Sequence, residues 1–218
     1  MLRFACTGSR PEPYAAGPSL LLDVRVDEDA GRRVHAVVLR TQIRIEPRGR
    51  RYTPEEAGKL TDLFGEPSRW GETLNPLQLA TVASTVPAFT GSTTLAVPVP
   101  LTYDLDVAAA KFFHGLSDAP DEDRADEDHV VPLLLLFSGT VFYAGPDGVQ
   151  VGPVAWHEEA THRLPVAVWR AAMDEHFPGA AWVRLRRDTL DALAAHRSAH
   201  TDRDWDETVL RLLKEAGP

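Results

Sequence analysis

Residues 129–145, HVVPLLLLFSGTVFYAG, form the most apolar run of the chain, and directly before them stands DAPDEDRADED, the most acidic run. A stretch so poor in charge must lie in a protein interior or in lipid, so its placement constrains the fold more than any other feature. Between His129 and Ala144 it offers roughly 15 residues, interrupted by Pro132 and Gly139, where a spanning helix needs about 20. Leu, Phe, Thr, Val and Tyr running into GPDG read instead as a buried strand ended by a tight turn. The expectation is a water-soluble, cytoplasmic protein with no membrane partner. The opening MLRFACTGSRPEP has no long apolar core of a secretory signal. Cys6 is the only cysteine, which rules out an internal disulfide or a thiolate metal cluster. A net charge of −9 argues against nucleic-acid or anionic-membrane partners.

Most of the first 160 residues carry strand signals. SLLLDVRVDE alternates apolar and polar residues, and VHAVVLRTQIRIEP sets Thr41, Ile43 and Ile45 against Gln42, Arg44 and Glu46. The short DEDAGRR between them predicts a hairpin. STTLAVPVPLTYDLDVAAAKFF reads as strand, with Pro98 and Pro100 demanding an edge or a bulge. A helix interrupts the series at 53–65: Thr53 is its cap, Pro54 opens it, and Gly65 ends it. Residues 117–129 are an acidic loop.

From Leu164 the period becomes helical. LPVAVWRAAMDEHFPG is one helix, DTLDALAAHRSAH a second capped by Asp188, and DWDETVLRLLKEAG a third capped by Asp204. The predicted fold is α+β: an antiparallel β-sandwich over 1–160 with an inserted helix, and a C-terminal helical segment, 161–218, packed on it in the same domain.

Candidate chemistry is sparse. His196 and His200 stand at i and i+4 on a helix, so their rings share a face and could take a metal with Asp202 or Asp204 nearby. WHEEATH fails as a zincin motif, because His157 and His162 lie about 140° apart around a helix. Ser138 lacks the G-x-S-x-G elbow. EPRGRRYTP concentrates Arg48, Arg50 and Arg51, and with Trp70 and Trp156 it could form a surface for a protein partner, since Trp and Arg dominate binding hot spots.

Several stretches carry a resemblance: RFACTGSRPEPYAAGPSL, QIRIEPRGRRYTPEEAGKLTDLFGEPSRWGETLNPLQ, VPVPLTYDLDVAAAKFFHGL, VPLLLLFSGTVFY and HRLPVAVWRAAMDEHFPGAAWVRLRRDTLDAL. They resemble an actinobacterial family, a domain of unknown function associated with gene clusters for nickel–iron uptake hydrogenases. The resemblance supplies no catalytic residues. It implies an accessory or maturation role. The resulting expectation is a non-enzymatic assembly protein that needs no cofactor and binds a hydrogenase subunit or maturation factor. Its alternative is a metal-binding protein or hydrolase built on His196 and His200. A homodimer that covers a sheet edge is the third reading.

Overall fold

The computed structural model describes residues 1–116, 129–146 and 148–217, which form two compact units, Met1–Trp182 and Val183–Pro218. The first unit is built on two antiparallel sheets. One holds β1 (Leu2–Pro11), β2 (Ser19–Glu28) and β5 (Ser92–Pro100), in the order β1-β2-β5. The other runs β4 (Leu77–Val86), β3 (Val34–Ile45), β6 (Val130–Gly145) and β7 (Gly148–Pro153), with β8 (Glu159–Pro165) also on β6. The edges of the two sheets approach each other on both sides, β4 beside β5 and β1 beside β8. This is the α+β sandwich that the strand rhythm predicts.

The leucine-rich run is β6, the interior strand that the sequence demands. Along it Val131, Leu133, Leu135, Phe137 and Val141 are buried, while the residues between them are partly open. They meet Leu20, Leu22, Val24 and Val26 of β2, and Phe4 stacks on Phe137 at 4.4 Å between ring centres. Each such side chain removed from water contributes about 1.5–3 kcal/mol, so the core has ample driving force. β6 has β3 along one side from Leu133 to Tyr143, while its other side is shared: residues 130–136 pair with β8 and 140–145 with β7. The change of partner falls next to Gly139, whose φ of 148° belongs to the region that favours glycine, and where a Cβ would collide with the Val38 carbonyl.

Two expectations are corrected. Residues 29–33 do not close a hairpin: β2 pairs with β1 and β5, β3 with β4 and β6, so this segment carries the chain from one sheet to the other. A short Gly-containing turn serves a hairpin and a sheet-to-sheet crossing equally well, and local sequence does not separate them. Ala108–Gly115 forms helix α3 rather than strand, which suits its run of alanines and the burial of Phe112 and Phe113. Pro98 and Pro100 lie on β5 at a sheet edge, as their missing donors require. The acidic loop at 117–129 falls outside the described residues except for His129.

Helix α1 (Pro54–Phe64) starts in a complete capping box: Thr53 accepts from the Glu56 amide and Glu56 accepts from that of Thr53. It packs against α3. After the short α2 (Trp70–Thr73), the last helix of this unit is α4 (Val166–Asp174), lying against β1, β2 and β8. Its buried face is Val166, Trp169, Ala172 and Met173, with Trp169 stacked on Phe113 at 4.8 Å.

The second unit is a helical pair, α5 (Arg187–His200) and α6 (Trp205–Ala216). Asp204 caps α6 through the Glu207 amide as predicted, whereas α5 begins two residues early, with Arg186 at the cap position and Asp188 inside its first turn.

Candidate functional site

The basic loop is less available than its sequence suggests. Arg50 is interior: its side chain is 1% exposed, it donates to Glu56 at 3.0 Å and to the Arg51 carbonyl at 3.1 Å, and it lies over the Tyr52 ring. Arg48, though exposed, donates to the Leu74 carbonyl at 2.8 Å and so ties the loop to the segment after α2. Arg51 is exposed. Trp70 is half-buried, donates to the Gly65 carbonyl at 2.9 Å, and meets Tyr52 and Phe64 edge-on. Fold and loop thus bring Arg48, Arg50, Arg51 and Trp70 to one corner, around an aromatic train that continues to Phe112. Burial and the Glu56 charge push the Tyr52 hydroxyl above its ordinary range, against the opposing pull of Arg50. This corner holds α1 in place, with Arg51 as its open charge. Trp156 lies elsewhere, in the turn between β7 and β8, 92% exposed and edge-on to His157.

His196 and His200 do share a face, their rings 4.1 Å apart. The Nδ1 of His200 already sits 2.9 Å from the His196 carbonyl, and among the described residues no three metal-ligating side chains converge. The pair alone offers a metal two nitrogens, one short of even an open catalytic zinc site.

The structural surprise is the interior of the second unit. Its buried residues are Asp202 and Thr208, both polar. Asp202 accepts from Arg211, with Nε at 3.0 Å, and the Arg211 hydrogen bonds hold its carboxyl below the usual range despite burial. Arg197 closes the turn by donating to the Asp202 and Arg203 carbonyls and lies over the Trp205 ring. Outside, Leu190, Trp205, Val209, Leu210 and Leu213 are exposed. Positions 205, 209 and 213 recur every four residues, so three of these apolar groups line one stripe of α6. Helical periodicity predicts that Val209, Leu210 and Leu213, and Leu190 on α5, face inward; the structure turns them outward instead. The signal that distinguishes the two is the placement of Asp202 and Arg211, nine residues apart, which no periodicity rule links.

A hollow of about 280 Å³ lies in the first unit between Met1, Arg32, Tyr143 and Val154. Glu28 is completely buried at its side chain and receives the Met1 ammonium at 3.0 Å, the Arg32 amide at 2.8 Å and the Arg32 guanidinium. Burial works to raise its pKa, but those donors outweigh it and bring the carboxyl down to about 2. Arg32 also stands 3.7 Å above the Tyr143 ring. These groups satisfy one another and hold the start of β1 to the end of β2.

No curated protein matches the chain. Among solved structures, beta-glucosidase 3B from Thermotoga neapolitana, in complex with alpha-D-glucose, aligns over 75% of this chain and 17% of its own, at 11% identity and a TM-score of 0.20. So slight a likeness carries no argument about fold or activity. The family comparison covers everything: residues 1–218 match the model of DUF6084, a family of unknown function, and the protein belongs to that family.

Proposed function

We propose that the protein is a non-enzymatic accessory or assembly factor whose helical pair holds a protein partner. The observation that carries this reading is the inversion of the second unit: Asp202 and Thr208 are buried, Asp202 bound by Arg211 and Thr208 donating to the Asp204 carbonyl, and Trp205, Val209, Leu210 and Leu213 are turned outward. An exposed apolar helix stripe is stabilised by covering it, and an amphipathic helix laid in a groove is a recurring mode of protein recognition. The context of nickel–iron uptake hydrogenases comes from the sequence resemblance alone, and a hydrogenase subunit or maturation factor is the partner it favours.

The test is a pull-down from the native host with the wild-type protein and with Leu210→Glu/Leu213→Glu, combined with hydrogenase activity in a deletion strain. The expected result is a hydrogenase subunit or maturation factor captured by the wild type and lost with the variant, and reduced activity without the gene. Equal capture by both proteins and undiminished activity in the deletion strain would overturn the reading. The juxtaposed rings of His196 and His200 favour metal binding as the second reading. Nickel or zinc retained stoichiometrically by untagged protein, and lost in His196→Ala, would establish it.

A further inference from the structure

Strand β7 ends its sheet, and the order of its residues is unusual: Gly148-Val149-Gln150-Val151-Gly152 reads the same in both directions. An antiparallel pair of identical strands related by a two-fold axis sets residue i opposite residue j and j opposite i. Centred on Gln150, such a pair places Val149 opposite Val151, Gly148 opposite Gly152, and Gln150 opposite itself. A palindrome is therefore the sequence best matched to its own copy in this register.

The backbone agrees with that register. The Val154 amide donates to the Gly139 carbonyl at 2.9 Å, which makes 139 and 154 a bonded pair across the β6–β7 ladder. Bonded and non-bonded pairs alternate in an antiparallel ladder. Counting back along the observed pairing, 152, 150 and 148 bond to β6, while Val149 and Val151 direct their N–H and C=O groups to the open edge. In the palindromic register these two residues meet as bonded pairs, twice over, with Gln150 on the axis. A register shifted by one residue would set outward amides against inward ones.

The edge also lacks the usual defences. Exposed edges are blunted by lysine, by proline or by inward charge, yet Gly148–Gly152 contains no charged residue, and proline appears only at 153. Val149 and Val151 are 60% and 63% exposed. Their side chains stand on the outer face of the sheet, in line with Ala144 and Phe142 across the ladder. Among the described residues, β6 is the strand paired with β7.

We infer that β7 is the self-association edge of this protein, joining a second copy in an antiparallel two-fold pairing centred on Gln150 and making one sheet continuous through both molecules. The interface is small, so a reversible dimer is expected, visible by sedimentation between about 5 µM and about 1 mM protein.

Val151→Pro removes one outward donor and leaves the β6 ladder intact, as Pro153 already does two residues on; it is expected to weaken the dimer at least about tenfold. Charge swaps test the register. Val149→Lys/Val151→Lys and Val149→Glu/Val151→Glu are each expected to be monomeric alone and to form a mixed dimer when combined, since 149 faces 151 of the other copy. Circular dichroism of each variant checks that the fold persists. A wild-type monomer at about 1 mM, a dimer indifferent to Val151→Pro, or no mixed dimer from folded charge variants would each overturn the inference.

Discussion

The two units of this molecule solve the problem of burial in opposite ways. In Met1–Trp182 an apolar core runs from Leu2 to Met173, and the charged groups taken inside, Glu28, Arg50 and Glu56, are each met by opposite charge. In Val183–Pro218 the buried residues are Asp202 and Thr208, Leu193 and Leu212 are half-buried, and the other large apolar residues lie outside. Hydrophobic burial scales with area and tolerates variation, whereas a hydrogen-bonded carboxylate fixes one geometry and adds little net stability. The first unit is thus built to persist, and the second, under the proposed function, to present a surface in a defined shape.

The sharpest way to break this contrast is to open the core. Phe112→Ala, at a residue wholly buried beside Phe64, Tyr52 and Phe113, is expected to cost about 3–5 kcal/mol in denaturant unfolding of the first unit. Amide exchange in α5 and α6 should stay unchanged; loss of protection there would mean that the units do not differ as argued.

Glu28 comes next. Its carboxyl is lowered in the folded state from 4.5 to about 2, so its contribution is fully present above pH 4.5 and is lost as the pH falls towards 2. Glu28→Gln should therefore flatten the dependence of stability on pH across that window, measured by chemical denaturation at a series of acid pH values. An unchanged acid limb would show that the Met1 and Arg32 partners do not set this titration.

Thr53→Ala removes half of the α1 capping box and should lower stability by about 1 kcal/mol. Smallest of all, Leu213→Glu on the open stripe of α6 should alter stability by no more than about 0.5 kcal/mol while abolishing partner capture. A large loss of stability would instead mean that this residue belongs to an interior.

Local pattern made much of the fold legible. The alternation along β2 and β3, the apolar run of β6, the Thr53 cap and the Asp204 cap each depend on residues within a few positions of one another. What stayed hidden depends on distance along the chain. Whether residues 29–33 fold back or cross to another sheet is decided by the competition of β5 and β6 for pairing, far downstream. Arg50 looks like surface charge until Glu56 and the Tyr52 ring are placed around it. The helical stripe of α6 was visible as a pattern, yet which side faced water turned on the Asp202–Arg211 bond. The edge role of β7 was hidden for another reason, since a palindrome has meaning only once the strand is known to end its sheet.

Gly139 carries a last consequence. Because β6 exchanges β8 for β7 beside this residue, and because the Val38 carbonyl occupies the room that any side chain would need, the position is closed to mutational drift. A lineage could recolour the open tip of the β7–β8 turn at Trp156, but it could reach that turn only through a hydrogen atom where every other amino acid carries carbon.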